Sequence, residues 1–213
     1  MNRVDDHCVF VTGGAGFIGS AVIRELLRST KDHVVNIDSL TYAGNLETVS
    51  EVANHGRYAF SHTDIRDQEA LRELFEKYQP SAVMHLAAES HVDRSIDEPG
   101  AFLETNILGT YTLLQAVRKY LDTLNSAWPT DFRFHHVSTD EVYGSLGLEG
   151  AFTESSPYRP RSPYAASKAA SDHLVRAWTK TYGIPSVISN CSNNYGPYQY
   201  CLLYTSPSPR DRG

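Results

Sequence analysis

Residues 138–144, STDEVYG, place a hydroxyl, Thr139, and two acids, Asp140 and Glu141, directly after the strand-like run FRFHHV. Neighbours in a continuing strand point to opposite faces, so the two carboxylates share a pocket only if the strand stops at Ser138. Two acids in one pocket are costly, which implies a task for the pair. Further on, Tyr164 and Lys168 in YAASK are four residues apart and share a face if the segment is helical. By itself such a pair reads as an ordinary exposed helix pair.

An upstream turn changes that weighting. TGGAGFIG places Gly13, Gly16 and Gly19 at three-residue spacing, after one apolar run and at the head of an amphipathic one. Small residues there let the backbone approach a pyrophosphate, which helix N-terminal amides and the helix dipole stabilise. A glycine-rich turn alone is weak evidence, but here the strand–turn–helix context is present. Asp38 ends the next apolar run, 25 residues after Gly13, near the spacing of a ribose-binding acid. Such a carboxylate repels a 2′-phosphate and favours NAD over NADP; the alternative is a surface cap. Asp64 ends a third run, where it either reaches an adenine edge or caps a turn. With a dinucleotide nearby, the Lys168 ammonium and a cationic nicotinamide both favour phenolate, which makes Tyr164 a usable base.

The elements that must position these groups alternate. Strands are expected at 8–14, 33–38, 57–64, 82–88, 132–138 and 185–190. Helices are expected at 17–30, with Ile18, Val22 and Leu26 on one face, after an Asp67 N-cap, at 101–121 and at 162–182 before Gly183. Near-continuous apolar strands between helices imply a doubly wound α/β fold with a parallel sheet covered on both faces. Its ligands sit at the carboxyl ends of the strands, where each motif above falls. The stretch 145–160 reads as a loop beside the site.

A net charge of −6 gives no footprint for nucleic acid or an anionic membrane surface. No apolar run suits a signal segment or a membrane helix, and three cysteines without pairing or metal spacing fit a reducing compartment, so a cytoplasmic location is expected. Nine histidines show no zinc-type spacing, and no metal site is expected. The last residues, CLLYTSPSPRDRG, lack either periodicity. One back-translation of Cys201–Asp211 resembles a transposase end and adapter of sequencing libraries, so 201–213 is read as a non-native tail on a domain spanning 1–200.

Taken together, TGGAGFIG, DSLTYAGN, HLAAESHVDRSI, TNILGTYTLL, STDEVYG, YAASKAASDHL and NCSNNYGPY resemble the nucleotide-sugar 4,6-dehydratases of the extended short-chain dehydrogenase superfamily, and within them the branch acting on dTDP-glucose. The resemblance runs from about residue 7 to 199, and the family's separate sugar-nucleotide domain has no counterpart, so no turnover is expected from this chain alone. It implies a Rossmann domain, NAD as cofactor, and dehydration of dTDP-glucose to the 4-keto-6-deoxy sugar. Tyr164 then removes the 4-hydroxyl proton with Lys168 beside it, Glu141 removes the C5 proton, Asp140 protonates the departing C6 hydroxyl, and Thr139 binds the 4-oxygen. Phe17, Ile18, Leu40, Thr41, Ile65, Leu86, Ala87, Ala88, Thr105 and Asn194 join the glycines, Asp38 and Asp64 as NAD contacts. Ser90 and Asn193 match substrate contacts. Ser39 departs from the lysine the family often has after the ribose acid. Homodimerisation through helices 101–121 and 162–182 is also implied. The competing readings are a nucleotide-sugar 4-epimerase or decarboxylase, which need no acid–base pair, and a non-catalytic NAD-binding module.

Overall fold

The computed structural model describes residues 7–124, 132–146 and 150–199; the tail at 201–213 lies outside them. Six strands form one parallel sheet: β1 (Cys8–Thr12), β2 (His33–Asp38), β3 (Tyr58–His62), β4 (Ala82–His85), β5 (Arg133–Thr139) and β6 (Ser186–Cys191). Their order is β3-β2-β1-β4-β5-β6, so the direction of winding reverses between β1 and β4, where a doubly wound sheet opens its ligand crevice. Thr12 is in register with Ile37 on one side and His85 on the other, which brings three carboxyl ends to one level.

Strand alternation sorts the core into two layers. Val9 and Val11 of β1 pack with Ile23 and Leu27 of α1 (Phe17–Ser29). Phe10 packs the other way, with Leu71 and Phe75 of α2 (Gln68–Tyr78) and with residues that include Leu113, Leu114 and Val117. Both faces are covered, as the apolar strands require.

Local chemistry sets the element ends. The Asp67 side chain accepts the amides of Glu69 and Ala70 at the head of α2, satisfying donors a helix start leaves open. Ser162 caps α6 (Pro163–Tyr182), Pro163 occupies its first position, and Gly183 ends it at φ 77°. Short helices α3 (Val92–Asp97) and α4 (Pro99–Phe102) precede the next long one.

Three expectations need correction. The inner face of α1 is Gly19, Ser20, Ile23 and Leu27; Val22 and Leu26 pack at its margin. β4 stops at His85, so Leu86–Ala88 is loop and can turn toward the crevice. The continuous helix expected at 101–121 is instead α4, a π-helical segment (Leu103–Gly109) and α5 (Thr110–Thr123). The wider π turn shifts which residues face inward: Asn106 and Thr110 are buried, while Leu103 and Tyr111 are 51% and 41% exposed.

Candidate active site

A cleft of about 2760 Å³ runs along the carboxyl ends of the strands. At one end stands the glycine turn. Gly13 has φ +70°, and a side chain there would bring a Cβ 2.7 Å from the Ala87 nitrogen. At Gly19 a Cβ would collide with the Gly13 carbonyl. Helix α1 starts at Gly16 with no side-chain cap and no acid in its first turn, which leaves its amides and positive dipole end open to an anion. Bare backbone beside an uncapped helix start is a cradle that a pyrophosphate fits.

Asp38 ends β2 and is 8% exposed, so it is not a surface cap. Its Oδ2 accepts the Ala15 amide at 2.9 Å and its Oδ1 the Leu40 amide at 2.8 Å. Burial pushes its pKa up, and those two amides oppose the shift. Each oxygen keeps a lone pair for a further donor. Asp64 accepts the Arg66 amide at 2.8 Å and pairs with the Arg66 guanidinium at 2.7 Å, which holds its carboxyl below the ordinary value. It therefore caps a turn while still bordering the cleft.

At the other end are the candidate reacting groups. β5 runs one residue beyond Ser138, to Thr139, and breaks into a single 3-10 turn (Asp140–Tyr143). The Thr139 hydroxyl accepts the Glu141 amide at 3.2 Å and so caps that turn. The break removes the opposite-face restriction, and both carboxylates border the same cleft as Tyr164 and Lys168. Burial first, then the nearby Glu141 carboxylate, raises the Tyr164 pKa well above its ordinary value, with the Thr139 hydroxyl opposing. Lys168 is buried; its Nζ donates to the Val137 carbonyl at 2.8 Å, and desolvation lowers its pKa to about 8.

Of the remaining residues that the sequence singles out, Gly16, Phe17, Ile18, Thr41, Ile65, Leu86, Ala87, Ala88, Ser90, Thr105, Asn193 and Asn194 also border the cleft. Leu40 does not. It sits at φ 50° and offers its amide to Asp38.

Two supporting residues escaped the sequence reading. Asn106 binds both backbone groups of Glu89, at 2.8 and 2.9 Å, and donates to the Ser167 hydroxyl at 2.8 Å. It thereby fixes the segment bearing Ser90 against the helix bearing Lys168. Its neighbour Thr105 was singled out, but a residue turned inward by a π segment carries no periodic signal. Asp172, four residues after Lys168, is wholly buried among polar groups; an acid on the inner face of an otherwise small-residue helix was the available clue.

A family model described as GDP-mannose 4,6 dehydratase matches residues 10–206. The chain belongs to that family. The dTDP-glucose 4,6-dehydratase of Neisseria meningitidis serogroup B is 61% identical over 193 residues, covering 90% of this chain and 54% of that protein. A solved structure of dTDP-glucose 4,6-dehydratase from Streptomyces venezuelae, with NAD and TYD bound, is 49% identical with a TM-score of 0.82, over 90% of this chain and 57% of that one. The enzyme of the same name from Bacillus anthracis, in complex with NAD, is 42% identical with a TM-score of 0.80, over 91% and 57%. The chain thus spans about half the length of the curated relatives it matches. Among the described residues no helix is long and apolar enough to cross a membrane.

Proposed function

We propose that this chain is the NAD-binding and catalytic part of a dTDP-glucose 4,6-dehydratase. One observation carries the reading: Thr139, Asp140 and Glu141 leave β5 into the same cleft that holds Tyr164, Lys168 and the glycine cradle. An epimerase or decarboxylase needs the cradle, the phenol and the lysine, but no adjacent acid and base for elimination. The relatives named above, all dTDP-glucose enzymes, support this choice of nucleotide sugar over GDP-mannose.

NAD, when bound, supplies the hydride acceptor and donor that oxidation at C4 and reduction at C6 require. The chain's own residues move the protons. Tyr164 takes the proton of the sugar's 4-hydroxyl, and the buried Lys168 ammonium supplies the positive charge that makes a phenolate accessible. Thr139 donates to the 4-oxygen. A ketone at C4 acidifies the C5 proton, which Glu141 removes as the electron pair forms the C5–C6 double bond; Asp140 protonates the departing 6-hydroxyl, and water leaves. Neighbouring acids suit an elimination because an acid and a base must act on it together. Asp38 receives the ribose hydroxyls, Ser90 and Asn193 the sugar, and the other cleft residues the remainder of the dinucleotide.

The homodimer, the cytoplasmic setting and the division at residue 200 belong to the same reading. The outward Leu103, Leu108 and Tyr111, with Tyr182 of α6, are 37–51% exposed and supply an apolar face for a helix-to-helix dimer. For the tail, sequencing of the source DNA past codon 200 decides: a non-native tail requires the natural frame to diverge there. The activity is tested by incubating the protein, expressed in its complete reading frame, with NAD and dTDP-glucose. A 4-keto-6-deoxy product supports the proposal, and a C4-epimerised sugar overturns it.

A further inference from the structure

Asp38 and Asp172 are the buried acids among the described residues, and the scheme above leaves Asp172 without a role. It lies on α6 one turn beyond Lys168. Three donors converge on its Oδ2: the Ser138 hydroxyl at 2.9 Å, the Tyr158 hydroxyl at 2.7 Å and the Asn190 amide at 3.4 Å. Its Oδ1 lies 3.2 Å from His136 Nε2. These partners come from β5, from β6 and from the loop ahead of α6.

The three Oδ2 donors also adjoin the catalytic turn. Ser138 precedes Thr139 in the chain. Asn190 donates to the Thr139 carbonyl at 3.2 Å and accepts the Tyr143 hydroxyl at 3.2 Å. Beside Tyr158, the Arg159 amide donates to the Val142 carbonyl at 2.9 Å. The Tyr158 ring meets Tyr143 edge-on at 5.2 Å, and Phe152 stacks on the same ring at 5.2 Å. Burial would push the Asp172 carboxyl up, but the His136 ring, Tyr158 and Ser138 hold it below the ordinary value. It is an ionised acceptor, and charge-assisted hydrogen bonds are the strong ones.

We propose that Asp172 is a positioning residue whose carboxylate, through Ser138, Asn190 and Tyr158, binds α6, the ends of β5 and β6 and the 150–161 loop into one latch that holds Thr139, Asp140 and Glu141 opposite Tyr164. The latch is a property of the fold; its effect on turnover rests on the proposed dehydratase reaction.

The test uses the complete reading frame and two readouts. Tyr158→Phe keeps the ring contacts and removes the hydroxyl's bonds to Asp172 and to the Arg176 guanidinium. It is expected to lower kcat about tenfold with KM within twofold, and to speed hydrogen exchange of the Val142–Arg159 region. Asp172→Ala is expected to lower kcat further, and Asp172→Asn, which keeps an oxygen acceptor, to restore part of it. A role confined to folding would change melting temperature and leave kcat per folded molecule intact, and that result overturns the proposal. If Asp172→Ala does not fold, Tyr158→Phe and Asp172→Asn decide alone. Unchanged exchange in Tyr158→Phe overturns the latch whatever the substrate. Absence of dehydration by the unaltered protein overturns the proposed function instead, and exchange still reads the latch.

Discussion

The Asp38 carboxylate accepts the Ala15 amide at 2.9 Å, tying the end of β2 to the glycine turn ahead of α1. One carboxylate therefore both shapes the cradle and borders the cleft. Asp38→Ala is expected to weaken NAD binding about 10- to 100-fold, the range of hydrogen bonds to a charged group. Calorimetric titration with NAD and NADP checks this; the unaltered protein should prefer NAD, and equal binding of both would count against the assignment.

Gly13 combines φ +70° with close approach to the Ala87 backbone, so it is both conformationally and sterically committed. Gly13→Ala should lower stability by about 1–3 kcal/mol and abolish measurable nucleotide binding. Denaturant melts of the two proteins give the first number directly. An unchanged melt would mean that the turn relaxes freely.

Acid should loosen the sheet through His136. It faces Asp172 and His85, and burial lowers its pKa from 6.5 to about 4, with the Lys168 charge adding and Asp172 opposing. The unfolded chain then binds more protons than the folded one between those values, so stability falls as pH drops from about 6.5 to about 4. The loss is on the order of 3 kcal/mol. His136→Gln should flatten that part of the stability–pH curve, measured by denaturant unfolding at each pH.

Lys168 predicts the opposite limb. With its pKa lowered to about 8 by burial, its ammonium is lost as pH rises past that value, and turnover should decline on the basic side. Lys168→Met should remove this limb and, like Tyr164→Phe, cost about 10²–10⁴ in kcat. Rate–pH profiles of the complete protein check both statements.

Much of this was legible because each motif states its physics locally. Three spaced glycines, an acid closing the next strand, and a tyrosine four residues before a lysine specify backbone approach, charge and shared face. The parallel, doubly wound character of the sheet follows from alternating apolar strands and helices. Other features depend on what the chain meets after folding. The π turn at Leu103–Gly109 breaks the helical period, so Leu103 and Tyr111 turn outward although spacing sends them inward. The α1 face slipped by one residue because Ser20, a polar residue with its hydroxyl bonded to the Phe17 carbonyl at 3.0 Å, occupies an inner position. The upward shift of the Tyr164 pKa follows from burial and from the nearby Glu141, a proximity that sequence spacing does not contain.

An elimination by Glu141 and Asp140 is what separates the proposed reaction from an epimerisation. The most direct measurement is hydrogen incorporation at C5 when the complete protein turns over dTDP-glucose in deuterated water, compared with Glu141→Gln. The unaltered protein should give a 4-keto-6-deoxy product carrying deuterium at C5, and Glu141→Gln should lower that product by about 10²–10⁴. Undiminished product with deuterium at C5 from Glu141→Gln would contradict that role for Glu141, because another group would then be the base.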